Sequence, residues 1–163
     1  MRVVVAPDKF AGTLTSEEAA AAIASGWRLA APDDEVDVAP MADGGPGFLS
    51  VLAGALGGER RPVATTGPLG EPLSAELLVV EHEGALTAYV EAAQCCGPTS
   101  STVRHPWDAT TAGLAPVLRE ALATGATRVV VGVGGTVTTD GGRGVVQVVG
   151  EWPRRVALVA ATD

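Results

Sequence analysis

The sequence is poor in aromatic and in basic residues. Aromatic residues make up 4% of the 163 residues, and 11 Lys and Arg stand against 19 Asp and Glu, which gives a formal net charge of −8. A nucleic-acid binder needs a basic face to release counterions from phosphates, and single strands are often held by aromatic side chains that stack on bases. The composition therefore argues against a nucleic-acid partner.

Cysteines and long hydrophobic runs are also scarce. The two cysteines, Cys95 and Cys96, are adjacent, and neighbours in sequence rarely reach the geometry of a relaxed disulfide. We expect a reduced pair, buried as two small apolar side chains in preference to a reactive dithiol. The apolar run after Arg2 is too short for a signal peptide, and no run approaches the length of a membrane span. These features predict a cytoplasmic protein with no membrane partner.

Hydrophobic residues make up 47% of the chain and charged residues 18%, a balance that can build a packed core in one domain. The 21 glycines and 11 prolines fall in clusters between apolar runs. That pattern is typical of an α/β protein with functional turns.

The helix and strand signals alternate along the chain. Thr15 and Glu18 form a capping box that predicts a helix reaching Leu29, in which Trp27 and Leu29 are expected to face the core. Further helices are predicted over 48–56 and 114–123, a loop over 94–109, and either a helix or a strand over 145–149. Strands are predicted over 3–6, 36–39, 61–66, 73–80, 85–91, 128–133 and 156–161.

This alternation predicts an α/β fold with a Rossmann-like, doubly wound and mostly parallel sheet. Turn residues at 67–70 and 82–84 predict antiparallel pairing in the middle of the chain. The segment 61–93 is therefore either part of the main sheet or a small β-rich inserted subdomain.

Three loops rich in glycine follow predicted strands, over residues 7–14, 41–47 and 132–144. Ligands of doubly wound sheets bind at the carboxyl ends of the strands, where unhindered backbone N–H groups and the positive end of the next helix attract phosphate. The alternative is that the glycines only permit tight turns. Three such loops together favour a phosphate site.

Each of these loops also carries an aspartate: Asp8, Asp43 or Asp140. A carboxylate beside a phosphate site can hold Mg²⁺ or accept a proton from an attacking hydroxyl, although turn-making or helix capping is the ordinary role of a single loop aspartate. Lys9 could neutralise a carboxylate or phosphate, or it could be a solvated surface lysine.

The loop sequences resemble those of the type I glycerate kinase family. The resemblance is carried by Val4-Val5-Ala6-Pro7-Asp8-Lys9-Phe10-Ala11-Gly12-Thr13-Leu14-Thr15, Pro40-Met41-Ala42-Asp43-Gly44-Gly45 and Gly134-Gly135-Thr136-Val137-Thr138-Thr139-Asp140-Gly141-Gly142, and it continues through Thr66-Gly67-Pro68-Leu69-Gly70-Glu71-Pro72 and Pro106-Trp107-Asp108-Ala109-Thr110-Thr111. It covers residues 1–150. The chain is thus expected to be a partial glycerate-kinase-like α/β domain over residues 1–163.

The resemblance implies ATP-dependent phosphorylation of D-glycerate to a phosphoglycerate, with Mg²⁺ as the helper ion. Asp43 or Asp140 would act as the base or hold the metal, with Lys9 beside the anionic substrate. The implied substrate- and phosphate-binding residues are Asp8, Thr13, Gly44, Gly45, Gly134, Gly135, Thr136 and Gly141.

Family chains are longer than this one, and three positions differ from the usual family residues. Ala11, Pro46 and Pro116 stand where a lysine, an acidic residue and a glutamate are usual, and residues 156–163 resemble a later family strand joined after an internal deletion. The alternative interpretation is a truncated or inactive homologue that acts at most as a nucleotide- or anion-binding module. A shortened sheet also leaves an open edge, for which a homodimer is the expected repair.

Overall fold

The structure is a computed structural model that describes residues 1–99, 102, 105 and 107–162. The chain divides into two compact units, Met1–Asp43 and Gly44–Asp163.

The first unit is a β-α-β arrangement in which a helix covers one face of two parallel strands. Its elements are β1 (Arg2–Val5), α1 (Ser16–Ala30) and β2 (Glu35–Val38). The predicted capping box is present: the Glu18 N–H donates to Thr15 Oγ1 over 3.1 Å, and the Thr15 N–H donates to Glu18 Oε2 over 2.8 Å. These contacts satisfy N–H groups that a helix start otherwise leaves open.

Alanines form the buried face of α1. Val5 of β1 packs with Ala20 and Ala24, both fully buried, because small side chains let a helix lie close to a sheet. The expectation that Trp27 and Leu29 face the core is wrong, since Leu29 is 85% exposed and Trp27 is 38% exposed. The Trp27 indole N–H instead donates to Asp34 over 3.0 Å.

The second unit is a five-stranded sheet in the order β3-β4-β5-β6-β7 with helices packed on it. Its elements are α2 (Phe48–Leu56), β3 (Glu59–Thr66), β4 (Pro72–His82), β5 (Ala85–Glu91), α3 (Ala93–Cys96), α4 (Leu114–Ala123), β6 (Arg128–Gly132), α5 (Arg143–Val149) and β7 (Ala157–Ala161). Strands β3, β4 and β5 are antiparallel, whereas β5, β6 and β7 are parallel.

The core of this unit lies between the sheet and α4. Leu77, Val90 and Val129 of the sheet are fully buried, and Val117 of α4 packs into the same cluster. The register of the parallel strands aligns Glu91 with Gly132, and Gly132 with Ala161. The carboxyl ends of β5, β6 and β7 therefore form one edge, from which the later glycine loop departs.

The α/β class and the mostly parallel pairing are confirmed, since three of the five strand pairings in the described residues are parallel. The segment over 145–149 is helical. The Rossmann-like winding and the inserted subdomain over 61–93 stay predictions, although β3, β4 and β5 are antiparallel as expected and continue directly into the parallel strands.

The loop predicted over 94–109 is partly wrong, because α3 occupies its start. Within that loop, residues 100, 101, 103, 104 and 106 lie outside the described residues.

Strand β7 is an edge strand with Leu158 and Val159 exposed, and the homodimer stays a prediction. Among the residues that the structure describes, no helix has both the length and the apolar character to cross a membrane.

The buried sheet residues set the stability of the second unit. Because Leu77 is fully buried in the core, we expect Leu77→Ala to lower the free energy of unfolding by about 2–5 kcal/mol through lost burial and a residual cavity. Urea unfolding followed by circular dichroism measures this change. The matched control is Leu158→Ala at a 54% exposed position, for which a change within about 0.5 kcal/mol is expected; equal losses in the two variants would contradict this packing.

Candidate functional site

The first unit brings Asp8, Lys9 and Asp43 together beyond the carboxyl ends of its two parallel strands. Lys9 Nζ donates to Asp43 Oδ1 over 2.7 Å and lies 3.7 Å from Asp8 Oδ2. Asp8 Oδ1 also accepts the Lys9 N–H over 2.6 Å and the Ser16 hydroxyl over 3.3 Å. Three of the predicted site residues thus form one charged cluster.

Lys9 is the only lysine of the chain, and its surroundings keep it charged. The hydrogen bond to Asp43 raises the pKa of Lys9; burial opposes this shift, and the charges of Asp43 and Asp8 add to it. The ammonium side chain is 21% exposed. Lys9 can therefore present a positive charge to an anion, and it cannot serve as a base near neutral pH.

Thr13 lies in a tight turn that follows this cluster in sequence. Its hydroxyl donates to the Phe10 carbonyl over 2.9 Å, and the Phe10 N–H donates to the Leu14 carbonyl over 2.9 Å. The hydroxyl hydrogen is thus engaged within its own turn. A substrate contact from Thr13 stays a prediction.

In the second unit, two glycine segments lie backbone against backbone at the sheet edge. The Gly134 N–H donates to the Gly44 carbonyl over 3.1 Å. A Cβ on Gly134 would lie 2.8 Å from Gly45 N, and one on Gly132 would lie 2.5 Å from Gly44 O. No side chain fits between segments this close, so packing alone accounts for these glycines.

The remaining predicted phosphate-binding residues lie along the same loop. A Cβ on Gly135 would meet the Pro46 ring at 2.5 Å, whereas the space beside Gly141 is open and its φ of +60° is in the left-handed region. Thr136 is exposed. The arrangement leaves Thr136 and the backbone around it accessible to a ligand, and the phosphate-binding assignments stay predictions.

Asp140 is held by five hydrogen bonds. Its Oδ2 accepts from the Thr110 hydroxyl (3.0 Å), the Thr111 N–H (2.8 Å), the Thr111 hydroxyl (2.9 Å) and the Gly144 N–H (2.9 Å), and its Oδ1 accepts from the Gly142 N–H (3.1 Å). Burial alone would raise the pKa of Asp140, but these donors outweigh it and lower the pKa to about 2. The carboxylate is therefore ionised and is a weak proton acceptor at neutral pH.

Glu91 is a buried carboxylate that the sequence analysis did not single out. It is the last residue of β5, it is 8% exposed, and its Oε2 accepts the Leu49 N–H over 3.1 Å. Leu49 is the second residue of α2, whose N-cap is Gly47 and which has no side-chain cap. The available sequence signal is an acidic residue that ends a strand with no other charged residue.

Two helices that follow glycine segments thus have carboxylates at their N-terminal N–H groups. Glu91 takes this place for α2, and Asp140 takes it for α5. A helix N-terminus attracts an anion through its free N–H groups and its dipole. Since the chain's own carboxylates occupy part of both ends, a bound phosphate would depend mainly on the loop backbone.

Among the described residues, no group of three or more His, Cys, Asp or Glu side chains is arranged to hold a metal ion. Asp43 and Asp140 were predicted to hold Mg²⁺. Asp43 instead accepts from Lys9, and Asp140 accepts from the Thr110 and Thr111 hydroxyls and three backbone N–H groups. Mg²⁺ can be bound through one or two carboxylates plus substrate phosphates, so these residues are compatible with an ion that arrives with a nucleotide.

The cysteine pair is inert in this fold. Cys95 and Cys96 are free and buried as expected. Burial is the main cause that raises the pKa of Cys95 to about 12 and that of Cys96 to about 11, with the neighbouring Cys96 and Glu91 adding to the first shift and Asp140 to the second. Both thiols therefore stay protonated and unreactive at neutral pH.

Comparisons with known proteins agree on one family. The model of the group described as the glycerate kinase family matches residues 3–152. An uncharacterized protein of Mycobacterium bovis is 43% identical over 100% of this chain and 45% of its own length. The glycerate 2-kinase of Escherichia coli K12 is 37% identical, and the glycerate kinase of Bacillus subtilis 168 is 38% identical, each over 92% of this chain and 39% of the relative.

The fold comparison gives the same result. A crystal structure described as a glycerate kinase 2 from Salmonella typhimurium LT2 superposes with a TM-score of 0.71 at 34% identity, over 91% of this chain and 40% of that one. The chain therefore spans about two fifths of the length of these relatives.

The Lys9–Asp43 pair predicts how fast Lys9 reacts with an acylating reagent. Because the Asp43 hydrogen bond raises the pKa of Lys9, we expect Asp43→Asn to lower that pKa and speed acetylation of Lys9 several-fold at pH 8. Mass spectrometry of the peptide that contains Lys9 measures the rate, with the Met1 amine as internal reference. Asp37→Asn, which alters the partner of Arg2, should leave the rate unchanged; equal rates for wild type and Asp43→Asn would contradict the pairing.

The lowered pKa of Asp140 predicts an acid-dependent contribution to stability. A carboxylate with a lowered folded-state pKa stabilises the native state above its ordinary pKa of 3.8, and this contribution is lost as pH falls through about 2. We expect Asp140→Asn to be less stable than wild type at pH 7 and the difference to shrink between pH 3.8 and pH 2. Urea unfolding across this range tests it, with Asp108→Asn at a 75% exposed side chain as control; a difference independent of pH would refute the assignment.

Proposed function

The chain belongs to the glycerate kinase family, and from this premise we propose that it transfers a phosphoryl group from ATP to a hydroxyl of D-glycerate. The observation that carries the proposal is the 2.7 Å ion pair between Lys9 and Asp43, which lie 34 residues apart in sequence. It places the only lysine of the chain and a carboxylate side by side at the carboxyl ends of β1 and β2. A cation that holds an anionic substrate and a carboxylate that accepts its proton are the two groups this reaction requires.

In this proposal Lys9 binds the carboxylate of D-glycerate. Its raised pKa keeps the ammonium charged at neutral pH, and its partial exposure leaves donors free to turn from Asp43 to the substrate. Asp8 orients Lys9 through its contacts to the Lys9 N–H and ammonium. Thr13 adds its hydroxyl oxygen at the neighbouring turn.

Asp43 is the proposed general base. As the glycerate hydroxyl oxygen attacks the γ-phosphorus of ATP, a new O–P bond forms, the bond from phosphorus to the bridging oxygen breaks, and ADP leaves with that electron pair. The hydroxyl proton passes to the Asp43 carboxylate. Once Lys9 binds substrate, Asp43 loses its ammonium partner and becomes a better proton acceptor.

The glycine segments of the second unit are proposed to hold the phosphates of ATP. The backbone N–H groups of Gly135 and Thr136, the Thr136 hydroxyl and the open turn at Gly141 supply the donors. Gly134, whose N–H donates to the Gly44 carbonyl, holds the start of this loop in place. Gly44 and Gly45 support this loop by close contact. The five hydrogen bonds on Asp140 favour a role in ordering the loop over a role as base.

We propose that Mg²⁺ arrives with the nucleotide and is held mainly by the ATP phosphates, so that the Asp43 carboxylate stays available as the base. The ion would neutralise charge on the transferring phosphoryl group. Asp140 has less capacity to join it, because donors already occupy both of its oxygens.

The alternative is a nucleotide- or anion-binding module without turnover. The length of the chain, about two fifths of its relatives, is the observation that favours it. Such a module would bind ATP or glycerate through the same loops.

The test is ADP release by the purified chain with Mg·ATP, with and without D-glycerate. We expect glycerate-dependent release that falls by about 100-fold or more in Asp43→Asn, because a general base contributes at least that factor. Asp37→Asn replaces an aspartate of β2 whose side chain is 42% exposed and should retain the wild-type rate.

A folded, monodisperse sample without glycerate-dependent release would reject the kinase proposal for this chain. Calorimetric titration with Mg·ATP and with D-glycerate then decides the alternative, since binding without turnover identifies the module. Full activity in Asp43→Asn would reject the base assignment while leaving the reaction in place.

A further inference from the structure

Glu91 is a buried acidic side chain for which the proposed reaction has no use. It is 8% exposed at the carboxyl end of β5, and Oε2 accepts the Leu49 N–H over 3.1 Å. A buried carboxylate is costly unless hydrogen bonds and a favourable electric field compensate for its desolvation. The N-terminus of α2 supplies both, because its first-turn N–H groups carry the positive end of the helix dipole.

Helix α2 depends on this contact for its side-chain cap. Its N-cap is Gly47, with a φ of 95° and no side-chain hydrogen bond. Glu91 approaches from another element, 42 residues away in sequence. The start of α2 is therefore tied to the end of β5 by a hydrogen bond to a charged acceptor, one of the stronger kinds in proteins.

The end of β5, where Glu91 lies, is also joined to the glycine segments. Glu91 pairs with Gly132 in the sheet register, and the Ala92 N–H donates to the Gly132 carbonyl over 2.9 Å. Gly132 begins the segment that lies against Gly44, which precedes α2. One carboxylate thus holds α2 to the strand end from which the later glycine loop departs.

We infer that Glu91 is a positioning residue that fixes the backbone of residues 44–51 against residues 132–137 and so presets the loop donors for phosphate. Its functional consequence rests on the proposed function, whereas its effect on the loops does not. The carboxylate touches neither substrate nor reacting atoms in this scheme. It acts only through α2 and the glycine segments.

The experiment compares Glu91→Ala, Glu91→Gln and Glu81→Ala by amide hydrogen exchange with peptide resolution. Glu81 is an exposed glutamate of the neighbouring strand β4 and serves as the matched control. We expect Glu91→Ala to speed exchange over 44–51 and 132–137 by about tenfold, because a buried donor loses a charged acceptor. Glu91→Gln keeps an acceptor without the charge and should give a smaller increase, and Glu81→Ala should give none.

Exchange over the buried centre of β4, around Leu77 and Leu78, separates positioning from general loosening. If Glu91 only positions the loops, exchange at the centre of β4 should be unchanged in Glu91→Ala. Equal acceleration in β4 and in the loops would overturn the inference. Unchanged exchange of the loops in Glu91→Ala would also overturn it. If Glu91→Ala does not fold, Glu91→Gln decides alone, and wild-type loop exchange in that variant would count against the role.

Steady-state kinetics adds the functional readout. In an active chain we expect Glu91→Ala to raise KM for ATP by about tenfold. Glu91→Gln should have a KM for ATP much nearer that of wild type, and KM for D-glycerate should change little in both variants. An unchanged KM for ATP with altered loop exchange would limit Glu91 to a structural role and overturn the phosphate step. Absence of turnover in wild type would reject the proposed kinase reaction, while the exchange data would still decide whether Glu91 holds the loops.

Discussion

The direct contact of two backbone segments at the end of the five-stranded sheet constrains how the loops and helices of the second unit meet its strands. Gly134 donates to the Gly44 carbonyl, and the positions that side chains would need at Gly44, Gly132 and Gly134 are filled by backbone atoms of the same unit. Such an approach is open only to glycine. The contact sets where α2 begins and the direction in which the loop after β6 leaves the sheet.

Carboxylates then stabilise the elements that this contact brings to the sheet edge. Asp140 collects donors from the segment at 110–111 and from the start of α5, and Glu91 takes an N–H from the start of α2. Each helix begins at a glycine that cannot cap it with a side chain. A remote carboxylate is an effective substitute, because it satisfies the open N–H groups and favours the positive helix end.

Much of the local structure could be predicted because its causes are local. The bounds of α2 and α4, the capping box at Thr15 and the antiparallel order of β3, β4 and β5 follow from apolar periodicity, caps and turn residues. The buried face of α1 departs from the prediction, because the small side chains of Ala20 and Ala24 allow close packing and are buried in place of the large apolar ones. Glu91 was missed since its partner is 42 residues away and no local pattern marks a carboxylate that caps a distant helix.

Packing explains the glycines at the sheet edge, but it does not explain the charged pair of the first unit. Close packing already explains Gly44, Gly132 and Gly134, so their place in the family pattern is accounted for by the fold alone. Packing does not explain the pair of Lys9 and Asp43, whose side chains are 21% and 31% exposed, because ion pairs that reach solvent contribute only about 0–1 kcal/mol to stability. Folding stability therefore does not account for the charged pair, and the proposed substrate binding and proton transfer are tested most directly at these two residues.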